Sequence, residues 1–172
     1  PSMPTLIDRS GPRRDTWVRF AGDAAAIAPD ADVILPLDDW REYRQCWLSR
    51  AGKVGVSLGP SDDPAAIAED LKHLSLVVVD FPSFTDGRGY STARLLRERY
   101  GWTGELRAAG DVLRDQLFLL ARVGFDTFAL RDDQDAAASV RAFGDFSEVY
   151  QAGVDRGPLF ARRFARELAS VA

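Results

Sequence analysis

From Lys53 onward, apolar runs of strand length alternate with segments of helical periodicity across short polar connections, the signature of βα units and a parallel sheet. Val54, Val56 and Leu58 read as a strand broken by Gly59-Pro60-Ser61-Asp62-Asp63. Asp63 as cap and Pro64 at the first position then predict a helix with Ala65, Ile67, Ala68 and Leu71 inward. Leu74-Ser75-Leu76-Val77-Val78-Val79 is a β-branched run bounded by charge, and predicts a doubly covered strand over Leu76 to Asp80. The polar stretch Asp80 to Ser91 leaves it as a loop, and a helix follows in which Ala93, Leu96 and Tyr100 recur at i, i+3 and i+7. Ser91 or Thr92 is the expected cap, Arg94 and Glu98 pair across one turn, and Gly101 is the stop. Glu105 to Ala108 reads as a strand, Val112 to Val123 as a helix with a Gly124-Phe125 Schellman ending, and Thr127 to Leu130 as a strand. Ala136, Val140 and Phe143 mark a helix closed by Gly144. Pro158 opens another with Leu159, Phe160, Phe164, Leu168 and Val171 inward and Arg162, Arg163 and Arg166 in solvent.

The first 52 residues carry a weaker pattern. Thr16 to Phe20 and Val33 to Leu35 read as strands joined by a weakly specified Ala24 to Pro29. Asp38 or Asp39 is the expected cap of a helix whose Trp40, Tyr43 and Trp47 share a core-facing side, with Cys46 as a small apolar group beside Trp47. Pro1-Ser2 precede Met3 and read as a tag remnant outside the fold. The expectation is one α/β domain over 1–172, with a less regular portion at about 1–52 and a βα-repeat core at about 53–172. Its sheet is mainly parallel and built from sequential βα units, either a partial TIM-barrel-like sheet or an open doubly wound one. Short connections and no marked switch in strand order favour the partial barrel.

Size and charge narrow the function. A chain of 172 residues, 46% hydrophobic, can bury a substantial core. Its 26 acidic and 22 basic residues are interleaved for a net charge of −4, leaving no basic stripe for nucleic acid. Lys53 and Lys72 are the only lysines, so arginine is the general cation here and its presence alone is a weak sign of anion binding. A single cysteine excludes a disulfide framework and a Cys-x-x-Cys pair. No apolar run reaches bilayer length and the amino terminus lacks a secretory pattern, so a cytoplasmic protein without a membrane partner is expected.

The candidate chemistry lies at the strand ends. Gly59, Asp80, Gly110-Asp111 and Arg131-Asp132 follow four successive strands and share one edge if these are parallel. Asp80, Thr85, Asp86, Arg88, Arg107, Asp111 and Arg114 are the candidate ligand-binding residues, with Arg88 reaching the edge to hold a small anion or polar substrate. The alternative is a salt-linked network of Asp80, Arg88 and Asp111 that only fixes the loop. Arg107, flanked by Leu106 and Ala108, needs a partner on its own face, for which Asp80 is the candidate. Thr85-Asp86-Gly87-Arg88-Gly89 is neither a P-loop nor a dinucleotide fingerprint; its glycines permit positive φ or close backbone approach. His73, the only histidine, has no Gly-x-Ser-x-Gly elbow to serve and reads as structural or surface. No metal is expected, although Asp80, Asp86 and Asp111 are the carboxylates that would hold magnesium, and no catalytic residue stands out.

The stretch Asp80 to Ser91, continuing as Ala93-Arg94-Leu95-Leu96-Arg97-Glu98-Arg99 and Gly104-Glu105-Leu106-Arg107-Ala108-Ala109-Gly110-Asp111-Val112-Leu113-Arg114-Asp115-Gln116, resembles a proteobacterial family of unknown function encoded beside the sirohaem sulfite reductase. The resemblance runs from about Leu37-Asp38-Asp39-Trp40 to Phe146 and Tyr150-Gln151. It implies a cytoplasmic role in assimilatory sulfite or sulfate reduction. Members often carry the label oxidoreductase, but the residues here build no recognisable flavin, nicotinamide, haem or thiol site, so no cofactor is expected. Two readings stay open: an accessory partner of sulfite reductase, or an enzyme or sensor for a small anion held by Arg88, Arg107 and Arg114.

Overall fold

The computed structural model describes residues 5–144, in which β1 (Thr5–Asp8) and β2 (Gly11–Arg13) form an antiparallel hairpin. There follow β3 (Val18–Arg19), β4 (Val33–Pro36), α1 (Leu37–Leu48), β5 (Val54–Leu58), β6 (Leu76–Phe81) and α2 (Arg88–Arg94). A π-helical turn, Leu95–Arg99, extends α2, and β7 (Glu105–Gly110), α3 (Leu117–Arg122), β8 (Thr127–Leu130) and α4 (Ala136–Arg141) complete the order. All eight strands join one sheet in the order β2-β1-β8-β7-β6-β5-β4-β3, and β3 to β8 are parallel neighbours in chain order. The result is a mixed, mostly parallel α/β sheet curled into a half-barrel, with β2 and β3 at its open edges. Strand order never reverses among the parallel strands, so a doubly wound sheet, which needs such a reversal, is not what forms.

Side chains alternate along each strand, so the two faces differ sharply. Val77, Val79, Phe81, Leu106, Ala108 and Phe128 face the helices and join Trp40, Trp47, Ile67, Leu96, Leu117 and Phe125 in the main core. Each such large side chain contributes about 1.5–3 kcal/mol on burial, so this face carries most of the stability. The opposite face holds only a small cluster of Leu6, Ile34, Leu76, Val78, Ala109 and Ala129, with Trp17 packed on it. Glu105, Arg107 and Thr127 share that thinner face, which leaves room for charge.

Several local expectations change. The stretch expected as one helix from Pro64 forms two 3-10 turns, Pro64–Ile67 and Leu71–His73. Asp63 still caps the first by accepting from Ala65 N, but the Asp70 carboxylate is drawn away by Trp40 Nε1 and Arg44, and so short a helix is marginal without packing. α1 begins after Pro36 with no side-chain cap, and Asp38 and Asp39 lie inside its first turn. Trp40 and Trp47 are buried as expected, but Tyr43 and Cys46 are exposed rather than core, and Tyr43 breaks the helical dihedrals (φ −117°, ψ 23°). Ser91 and Thr92 fall inside α2, whose cap is Gly87, and the helix expected from Val112 starts with a 3-10 turn at Arg114–Gln116. The Schellman ending forms as expected: Phe125 N donates to Leu120 O, Gly124 N donates to Ala121 O, and Gly124 has φ +111°. The C-terminal helix expected from Pro158 lies outside the described residues.

Candidate functional site at the carboxyl edge of the sheet

The parallel register aligns Val78 with Arg107 and Asp80 with Ala109, and so places Asp80, near the carboxyl end of β6, and Arg107, midway along β7, on the same thin face. The segment leading into β3 brings Asp15 to this face and β3 itself brings Arg19, while Arg131 and Asp132 leave the end of β8. These side chains, with Ala109, Gly110, Ala129 and Leu130, line a cavity of about 500 Å³.

Arg107 is the buried centre of the arrangement, with 3% of its side chain exposed. Its Nη1 donates to Asp15 Oδ2 at 2.9 Å and its Nη2 to Glu105 Oε1 at 3.0 Å; that same Oε1 accepts from Thr127 Oγ1 at 2.7 Å. The partner expected for Arg107 was Asp80, and this is corrected. Glu105 lies two positions away on the same strand face, whereas Asp80 is aligned with Ala109 rather than with Arg107 and is taken by Arg19 at 2.9 and 3.3 Å. The Arg19–Asp80 pair is half-open to solvent, 51% and 33% exposed. Arg131 donates to Asp111 Oδ1 at 2.8 Å and to Asp133 through Nε and Nη2. These bonds push the Arg131 pKa up and, through the Arg131 guanidinium above all, hold the Asp133 carboxyl well below the usual range.

Of the seven candidate residues, Asp80 and Arg107 line the cavity. Asp111 stands one step behind it: Oδ1 accepts from Arg131 while Oδ2 accepts from Phe84 N at 2.9 Å, tying the β6–α2 loop to the rim. Arg88 does not reach the edge; it folds back on its own loop, where its guanidinium and backbone N–H both donate to Asp86. Thr85 shares a hydrogen bond with Ser83, and the Arg114 backbone donates to Gln134; none of Thr85, Asp86, Arg88 and Arg114 lines the cavity. Gly87 has an ordinary φ of −80°, whereas Gly89 is needed for close approach, since a Cβ there would sit 2.4 Å from Phe81 Cζ. Asp80, Asp86 and Asp111 therefore each have a different guanidinium as partner, and among the described residues no group of His, Cys, Asp and Glu is arranged to hold a metal ion. His73 is exposed, and no helix among the described residues is long and apolar enough to cross a membrane.

Asp86 provides a direct check of the loop. The Arg88 side chain, then its backbone N–H, lowers the Asp86 carboxyl from 3.8 to about 2. A depressed folded value means that the pair's contribution is complete above pH 3.8 and disappears as pH falls through about 2. Carboxyl-detected NMR is expected to place the Asp86 midpoint near 2 in the native chain, and to return it towards 3.8 in Arg88→Ala.

Sequence reasoning missed Asp15, Arg19 and Glu105. Glu105 was accessible from the i, i+2 rule for strands, which sets it beside Arg107. Asp15 and Arg19 meet partners 92 and 61 positions away, and no local pattern signals such pairings.

No curated protein matches the chain. The family described as "Bacterial protein of unknown function (DUF934)" matches residues 55–160, from β5 through β8 and beyond, including Asp80, Arg107 and Arg131 but not Asp15 or Arg19. With more than half of its length matched, including most of this rim, the chain belongs to that bacterial family.

Proposed function

We propose that the chain is an accessory protein of assimilatory sulfite and sulfate reduction, a partner of sulfite reductase, that binds a small oxyanion at the carboxyl edge of its sheet. The observation that carries the binding reading is that two half-exposed guanidiniums, Arg19 and Arg131, face one cavity of about 500 Å³. Of their carboxylate partners Asp133 is 56% and Asp80 33% exposed, and ion pairs open to water are worth only about 0–1 kcal/mol, so exchanging one of these carboxylates for a bound oxyanion costs little. Arg107 is different: its buried bonds to Asp15 and Glu105 make it a support for the cavity wall. We read the curled sheet as part of a TIM-like barrel, a fold whose ligands sit at this same edge. The link to sulfur rests on the resemblance carried by the stretch Asp80 to Gln116.

Thermal unfolding with sulfite, sulfate and adenosine phosphosulfate tests the binding. A ligand at a hundred times its dissociation constant stabilises the folded state by about 2.7 kcal/mol. That stabilisation is expected to vanish in Arg19→Ala and Arg131→Ala and to persist in Arg88→Ala, whose side chain is engaged within its loop. Co-purification of sulfite reductase with the tagged chain tests the partnership. No stabilisation by any of the anions would end the binding reading, and an empty co-purification the partnership.

A further inference from the structure

Every charged side chain that lines the rim cavity is already paired but one. Arg19 and Asp80 bond each other through both guanidinium Nη atoms and both carboxylate oxygens. Arg107 holds Asp15 and Glu105, and Arg131 holds Asp111 and Asp133. Asp132 also lines the cavity and is exposed, yet its carboxylate has no hydrogen bond or ion pair among the described residues. The two accessible guanidiniums, Arg19 and Arg131, thus share the rim with Asp80, Asp111, Asp132 and Asp133. Its open part carries more negative than positive charge.

That balance limits what an oxyanion can bring with it. An anion that takes over N–H groups of Arg19 or Arg131 displaces a carboxylate, and the displaced acid keeps its charge, so a bare dianion would add to a negative excess at short range. An anion carried on a body with a cationic group adds no net charge, and groups of both signs then find their complements within one site. The cavity has the size for such a body: about 500 Å³ is far more than a bare sulfite or sulfate fills and lies within the range of small-molecule sites. Ala109, Gly110 and Ala129 add an uncharged stretch of wall that suits a short carbon chain. Resting on the oxyanion reading above, we infer that the ligand is a small zwitterion whose acidic group is held by Arg19 and Arg131 and whose ammonium is held by Asp132.

Taurine and isethionate provide the test, since they share a sulfonate on the same short chain and differ in carrying an ammonium or a neutral hydroxyl at its far end. By titration calorimetry, taurine is expected to bind about fivefold more tightly than isethionate, the upper end of what an ion pair open to water is worth. Asp132→Asn keeps the shape of the side chain, leaves the urea midpoint in place because no partner is lost, and is expected to close that gap, chiefly by weakening taurine. Arg131→Ala is expected to weaken both probes. Isethionate binding as tightly as taurine overturns the inference, and so does a preference for taurine that survives Asp132→Asn. If sulfite or sulfate stabilises the chain while taurine fails to bind, the zwitterion is overturned and the oxyanion reading stands. If none of these compounds binds, the oxyanion reading falls and this inference with it.

Discussion

Arg107→Ala is expected to destabilise the chain by about 3 kcal/mol, read as a lower urea midpoint at unchanged slope. The wild-type guanidinium is almost wholly buried and holds two carboxylates, Asp15 at 2.9 Å and Glu105 at 3.0 Å. Removing it leaves both acids facing each other across a gap on the sheet, with Thr127 still donating to Glu105. Breaking a buried pair typically costs about 3–5 kcal/mol, and the lower end applies because Asp15 and Glu105 keep 22% and 32% of their side chains in water. Adding Asp15→Asn and Glu105→Gln to the variant removes the uncompensated charge and is expected to recover more than half of the loss. A triple variant no more stable than the single one would mean that packing around Arg107, rather than charge, sets the cost.

Gly110→Ala is expected to cost about 2–6 kcal/mol, for a reason that involves no charge. Gly110 has φ +94°, and a Cβ there would lie 2.3 Å from Phe81 O, the carbonyl that accepts from Asp111 N at the rim. Backbone strain of about 1–3 kcal/mol and overpacking of about 1–3 kcal/mol add, because neither the β7 terminus nor the facing β6 terminus is free to retreat. Gly101 separates the two contributions: its φ is +66° with nothing within 4 Å of a Cβ. Gly101→Ala should show the conformational cost alone, about 1–2 kcal/mol, and the excess in Gly110→Ala measures the steric clash. Equal losses in the two variants would show that the rim yields to the extra methyl. Because Gly110 lines the cavity, its variant is also expected to lose oxyanion stabilisation.

β5 to β8 were legible in the sequence because each is a short apolar run bounded by polar turns, and a parallel sheet covered by helices demands that pattern. The hairpin of β1 and β2 was not, since four and three residues give too short a period to register; its turn is set by Asp8, whose carboxylate accepts from Ser10 N and Gly11 N. Helix boundaries failed where tertiary bonds overrode local preference, as when Trp40 and Arg44 captured Asp70. At the rim, the strand-end rule led to Asp80, and Arg107 followed from its polarity within an apolar strand; both line the cavity. Arg88 went wrong because loop position says nothing about which carboxylate is nearer, and Asp86 two residues away prevailed over any group on the sheet.

The stretch from Asp15 to Arg19 is pinned by contacts of opposite sign: its acid Asp15 meets the cation Arg107, and its cation Arg19 meets the acid Asp80. A chain laid across the sheet in the reverse sense would set like against like at both points, which is costly for Arg107 at its buried position. The two bonds thus act as a lock that admits one direction of travel, so the amino-terminal portion has a unique way to close over the strands even where apolar contacts on that face are few.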